Sequence, residues 1–169
     1  MSNRDADLEA LFARDYAALV RLAFLLTRDA ATAEEIAMEA FVRVVGGWRR
    51  IGSMDRPELY VRRIVVNLCS SSRRKRFIER QMTDRLGART PDRYEESQAD
   101  PSIARSLQRL PVRQRACIVL RYFEDRSESE MAEILRCSTG TVKSQLAKAR
   151  AKLERELRAL VALEGDRDE

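Results

Sequence analysis

Histidine is missing from this 169-residue chain. With it go the commonest general base, the Ser-His and Cys-His nucleophile pairs, and most zinc and di-iron ligand sets. Cysteine is scarce, and Cys69, Cys117 and Cys137 form no C-x-x-C pair, which argues against a disulfide framework or a zinc site. No cofactor, no metal and no enzymatic chemistry are therefore expected. Only 6 Gly and 4 Pro interrupt the chain, so long helices have room to form. No apolar run is long enough for a membrane span, and the opening MSNRDADLEA is too charged for a secretory signal. The expected location is the cytoplasm.

What is present is charge on helices. Hydrophobic residues make up 44% of the chain, enough for a modest core in one or two small domains. The net charge of +5 favours an anionic partner. Its distribution is more telling than its total.

From Ser127 to Leu160 the chain reads as a helix, a tight turn and a second helix. Ser127 and Glu130 form a capping box that opens the first, with Met131, Ile134 and Leu135 inward. Ser138 suits the N-cap of the second, beside a small turn residue. Val142, Leu146, Ala149, Leu153, Leu157 and Leu160 then recur at three- and four-residue steps as one buried stripe. The opposite arc holds Thr141, Lys143, Ser144, Ala147 and Lys148, with Gln145 at its edge, near the helix end that enters the major groove in a helix-turn-helix. The same pattern also fits a helical hairpin with a solvated basic face.

Upstream, a first helix over Asp5–Thr27 places Leu8, Leu11, Phe12, Leu19, Leu22, Ala23 and Leu26 on one face. Asp29 caps a second, with Ala33, Ile36, Ala37, Ala40, Phe41 and Val44 inward and Gly46 and Gly47 ending it. Its outer face carries Glu34, Glu35, Glu39 and Arg43, which suits a docking surface for a basic partner or plain solvation. The stretch GGWRRIGSMDR reads as a loop in which Trp48 either stacks on a ligand or plugs the core. A third helix over Pro57–Arg80 buries Leu59, Tyr60, Ile64 and Leu68. Arg63, Asn67 and Arg74 align on its other side. Residues 57–80 hold Arg62, Arg63, Arg73, Arg74, Lys75, Arg76 and Arg80 against Glu58 and Glu79, a run suited to phosphates.

After that the periodicity stops. Asp84–Asp100 reads as an acidic linker. Beyond it come a short helix with Ile103, Leu107 and Leu110 inward, and another opened by Pro111 with Val112, Ala116, Val119, Leu120 and Phe123 inward. The expected fold is all-α: two small helical domains, 1–82 and 102–163, joined by a flexible acidic linker, 83–101, with a disordered tail, 164–169. The C-terminal domain is the helix-turn-helix.

The segments AEEIAMEAFVRVV, PELYVRRIVVNL with its basic run, and LPVRQRACIVLRYFEDRSESEMAEILRCSTGTVKSQLAKARAKL, in that order, resemble an extracytoplasmic-function (ECF) sigma factor of bacterial RNA polymerase. Gly140–Ser144 is the strongest fragment, and the small actinobacterial-type members are most similar. The resemblance implies that Glu34, Glu35, Glu39 and Arg43 dock on core RNA polymerase. Trp48, Ser53, Met54, Asp55, Tyr60, Arg63, Asn67 and Arg74 would recognise and open the −10 element of promoter DNA and hold its single strand. Thr141, Lys143, Ser144, Gln145 and Lys148 would read the −35 duplex, with Arg150 and Lys152 bracing phosphates. An anti-sigma factor is a further candidate partner, although no residue run points to one. Relatives often carry Asp-Leu-Val-Gln in place of Glu35-Ile36-Ala37-Met38, and Arg in place of Gln145. A stand-alone helix-turn-helix regulator with a dimerising N-terminal domain is the alternative reading.

Overall fold

A computed structural model describes residues 3–86 and 101–165. Most of the expected linker and the last four residues of the expected tail lie outside them. The chain divides into two compact units, Met1–Glu95 and Glu96–Glu169, and the described residues of both are helical, with no strand.

The N-terminal unit packs α1 (Asn3–Thr27), α2 (Ala30–Ile51) and α3 (Pro57–Leu86) around one core. Its turns have local causes. Arg28 takes a left-handed φ of 62° and returns its N–H to the Phe24 carbonyl, which ends α1. Asp29 starts α2 by accepting the Thr32 N–H at 2.7 Å. That bond, aided by Arg76 at 3.3 Å and opposed by partial burial, holds the Asp29 carboxyl below its ordinary range. Ala33, Ala37 and Ala40 are fully buried, so α2 approaches its neighbours closely, and Leu19, Leu22, Phe41 and Val44 fill the space around them.

Several expectations for this unit need correction. Gly46 and Gly47 do not end α2, which continues to Ile51 and stops at Gly52. A Cβ on Gly46 would meet nothing, whereas one on Gly52 would lie 2.9 Å from the Trp48 ring, so packing demands glycine at Gly52 and not at Gly46. The supposed loop is therefore short, and Trp48 is a buried residue of α2. On α3 the buried positions are Leu59, Val61, Val65, Val66 and Cys69, while Tyr60, Ile64 and Leu68 are only half-buried. The segment PELYVRRIVVNL is apolar on most of its circumference, so periodicity alone does not choose the face. Arg62 leaves the basic run altogether: it is 2% exposed and donates to Asp15 of α1 at 3.1 Å and to the Glu58 carbonyl. Phe12 lies 38% exposed, with its ring on Tyr16 and Phe41 at centroid distances of 4.8 and 4.7 Å.

The C-terminal unit comprises α4 (Pro101–Arg109), α5 (Val112–Tyr122), α6 (Glu128–Leu135) and α7 (Thr139–Gly165). Its core joins Ala104, Leu107 and Leu110 to Ala116, Val119, Leu120, Met131, Ile134, Val142, Leu146 and Ala149. Ile103 and Phe123 are exposed, contrary to expectation, because the inward positions of α4 start at Ala104 and α5 ends at Tyr122. Arg115 is fully buried and closes the end of α4, donating to the carbonyls of Leu107 at 2.7 Å and Leu110 at 3.0 Å and to Gln108 Oε1 at 2.7 Å. It thus satisfies carbonyls that a helix C-terminus leaves open. Burial, reinforced by the nearby Cys137 thiol, pushes the Cys117 thiol up to about 11.

Candidate nucleic-acid interface

The helix-turn-helix is built as its residues dictate. Ser127 Oγ accepts the Glu130 N–H at 3.2 Å while Glu130 Oε2 accepts the Ser127 N–H at 2.7 Å, a closed capping box. Arg136, at a left-handed φ of 51°, ends α6, and the Cys137 N–H returns to the Ala132 carbonyl. Ser138 then caps α7 by accepting the Thr141 N–H at 3.1 Å. The turn is set by these bonds, and the direction of α7 follows from it.

With Val142, Leu146 and Ala149 locked inward, the opposite side of α7 is decided. Ser144, Ala147 and Lys148 are exposed there, with Thr141 and Gln145 half-buried beside them. Positions 141, 144, 145 and 148 share a helix face, so four of the five expected duplex-reading residues form one strip. Lys143 is exposed to one side, with Nζ 3.6 Å from the Glu128 carboxylate. The Thr141 hydroxyl lies 3.0 Å from that of Ser138. Lys148 and Ser144 are thus the least committed members. Of the expected phosphate braces, Arg150 donates to the Tyr122 hydroxyl at 2.7 Å and Lys152 to the Arg109 carbonyl at 2.9 Å. Both help hold the unit together. The apolar stripe thins toward the end, where Leu153 is half-buried and Leu157 exposed.

In the N-terminal unit the expected strand-opening residues separate into three sets. Trp48, only 6% exposed, supports the α2–α3 turn from below. Ser53 donates its hydroxyl to the Arg50 carbonyl at 2.8 Å, with Met54 half-buried and Asp55 exposed in the same turn. Tyr60, Arg63, Asn67 and Arg74 run along α3 at three-, four- and seven-residue steps. Asn67 and Arg74 are exposed. The Arg63 guanidinium lies over the Tyr60 ring, 5.3 Å from its centroid.

Arg76 bonds the Thr32 hydroxyl and pairs with Asp29, tying α3 to the start of α2. One residue that periodicity does not single out joins the face: Arg50, whose Nη2 donates to the Tyr60 hydroxyl at 3.0 Å. No sequence signal separates it from its neighbour Arg49.

On the outer side of α2, Glu34, Glu35, Glu39 and Arg43 are all exposed, and Arg43 pairs with Glu39 at 2.7 Å. An apolar ridge of Met38, Val42 and Val45 runs beside them, exposed by about half. With Leu8, Phe12 and Phe41 it lines a groove of about 450 Å³. Exposed apolar residues in such a contiguous patch mark a contact surface. Among the described residues there is no cluster of His, Cys, Asp or Glu able to hold a metal ion, and no helix long and apolar enough to cross a membrane.

Two family matches, one in each unit, define the class as a DNA-binding initiation factor of the sigma-70 type. Residues 11–77 match the family described as Sigma-70 region 2, and residues 102–153 the family Sigma-70, region 4. Over 141 residues the chain is 35% identical to the RNA polymerase sigma-E factor of Streptomyces avermitilis, covering 83% of this chain and 79% of that one. It is 34% identical to the ECF RNA polymerase sigma factor SigM of Mycobacterium tuberculosis, covering 87% and 75%. In structure it is similar to the sigma factor RpoE of Bartonella quintana, solved in complex with the anti-sigma factor NepR. That similarity has a TM-score of 0.70 at 25% identity, over 90% of this chain and 97% of that one. The chain belongs to the ECF family of RNA polymerase sigma factors, and its role is to direct promoter-specific initiation of transcription.

Proposed function

We propose that the two units divide that role. The N-terminal unit, about residues 1–82, docks on core RNA polymerase through the α2 face of Glu34, Glu35, Glu39 and Arg43, with the Met38–Val42–Val45 ridge supplying buried area. Its α3 face, carrying Tyr60, Arg63, Asn67 and Arg74 beside the Ser53–Asp55 turn, recognises and opens the −10 element. Trp48 acts there from beneath, as support. The C-terminal unit, about residues 102–163, reads the −35 duplex through Thr141, Lys143, Ser144, Gln145 and Lys148. Residues 83–101 join them.

The observation that carries this reading is that each unit has its own cationic, hydroxyl- or amide-bearing face on the side opposite its buried core. A strip of small and polar residues at the N-terminal end of a recognition helix suits base edges. An aromatic ring with arginine stacked on it suits unpaired bases and their phosphates. The protein acts in the cytoplasm as a non-catalytic subunit. Its docking face is also where an anti-sigma factor competes, a partner suggested by the complex in which the similar Bartonella quintana factor was solved.

The test is to add the chain to core polymerase on a genomic promoter library in low salt and sequence the transcript starts. Starts sharing two asymmetric upstream elements are expected. Their absence, together with tight binding of the free chain to a palindromic duplex, would instead favour the stand-alone regulator.

A further inference from the structure

Tyr60 is held from two sides of the sequence. Arg63, one turn along α3, lies over its ring. Arg50, in the last turn of α2, places its guanidinium carbon 5.7 Å from the same centroid and donates Nη2 to the hydroxyl at 3.0 Å. The backbone that carries Arg50 is fixed. Its carbonyl accepts the Ser53 hydroxyl, and Gly52 is seated against the buried Trp48 ring, where a Cβ would clash. The aromatic side chain, its hydrogen-bond partner and the turn between them therefore form one preset unit.

Arg50 is exposed and, among the described residues, makes no ion pair. One bond to a phenol occupies one of the five N–H donors of a guanidinium and leaves its charge uncompensated. Two guanidinium groups over one ring also repel each other unless an anion lies near both. The chemistry that satisfies this arrangement is a phosphate beside an unstacked base: the base meets the aromatic ring, and the free N–H groups of Arg50 take the backbone oxygens.

We propose that Arg50 is a further single-strand-binding residue of this protein, which positions Tyr60 through its hydroxyl and binds the phosphate next to the base that Tyr60 receives. The inference rests on the reading of α3 as the strand-opening face. It differs from that reading in making the end of α2 part of the grip. Because the contact is to backbone, it sets affinity and salt dependence and leaves base preference unchanged.

The test uses holoenzyme assembled from core polymerase and the full chain, bound to fork-junction DNA with a duplex −35 region and an unpaired non-template −10 strand, taken from a promoter mapped by its transcript start. Arg50→Ala is expected to weaken fork binding about tenfold and to lower the salt slope by about 0.7. Binding to a −35 duplex fragment should be unchanged. Tyr60→Phe, which keeps the ring and removes the hydroxyl, should cause a smaller loss. The double variant should bind no worse than Arg50→Ala alone, since both act through one bond. Unchanged fork affinity and salt slope in Arg50→Ala would overturn the proposal, as would fully additive losses. If wild-type holoenzyme itself binds forks no better than core polymerase, the reading of α3 falls as well, so the two failures are distinguishable.

Discussion

Two basic helix faces, one on α3 and one at the start of α7, have similar compositions and different commitments. On α3, Arg62 is buried on Asp15, Arg76 is tied to Asp29 and Thr32, and Lys75 lies 3.9 Å from Glu79, while Arg74 is exposed. On the first turns of α7, among the described residues, only Lys143 pairs with an acid, and Ser144 and Lys148 stand in solvent over a buried Val142–Leu146–Ala149 stripe. A count of positive charges therefore overstates the phosphate-binding capacity of α3 and describes α7 fairly. Part of the α3 charge holds the unit together, and Arg63 joins Arg50 of α2 around one ring, Tyr60.

The largest expected effect separates the two uses of arginine on α3. Arg62→Ala takes away the buried partner of the Asp15 carboxylate, leaving it only the exposed Arg14 guanidinium at 2.7 Å, and should cost the N-terminal unit about 2 kcal/mol, read as a lower urea midpoint. Arg74→Ala, in the same basic run, should leave that midpoint unchanged and weaken fork-DNA binding. Equal stability loss in both would erase the distinction. Next comes Ser127→Ala, which opens the capping box of α6 and should destabilise the C-terminal unit by about 1 kcal/mol. Duplex binding should fall with it as the recognition helix loses its support, measurable by thermal melting beside gel-shift titration.

Lys148→Ala sharpens the comparison from the other side. It should shift stability by less than about 0.5 kcal/mol and reduce the salt slope of −35 duplex binding by about 0.9. A stability loss without a change in slope would place Lys148 in the fold and not on DNA. The smallest effect concerns Asp29. Its carboxyl is lowered in the folded state by the Thr32 N–H and then by Arg76, so its contribution is complete above the ordinary value of 3.8 and is lost as pH falls through the folded value. Asp29→Asn, which keeps the capping oxygen, should lose less stability on acidification below pH 3.8 than the wild type does. Identical acid profiles would remove Asp29 from the account.

Much of this architecture is legible from local chemistry. The Ser127/Glu130 box, the Asp29 and Ser138 caps and the Val142–Leu146–Ala149 stripe each depend on residues three or four apart, and each forms as its spacing implies. What was not legible depends on distant partners. Arg62 and Arg63 are adjacent and chemically identical, and Asp15, 47 residues away, draws one of them into the core. Gly46 and Gly47 look like a helix end, yet α2 continues because nothing crowds Gly46 and Trp48 still has a core to enter. Arg115 gives no periodic signal, since its bonds go to backbone carbonyls of the preceding helix. Arg50 is invisible for the same reason: its meaning comes from Tyr60 across the turn.

Permanganate reactivity of thymines in the −10 region, measured on one mapped promoter with core polymerase and the chain, tests the central claim most directly. Reactive, unpaired thymines at the −10 element together with protection of the −35 duplex are predicted, and Arg63→Ala or Asn67→Ala should lose the reactivity while keeping the protection. Protection of the −35 duplex by the wild-type complex with no reactive thymine at any temperature or salt would contradict it.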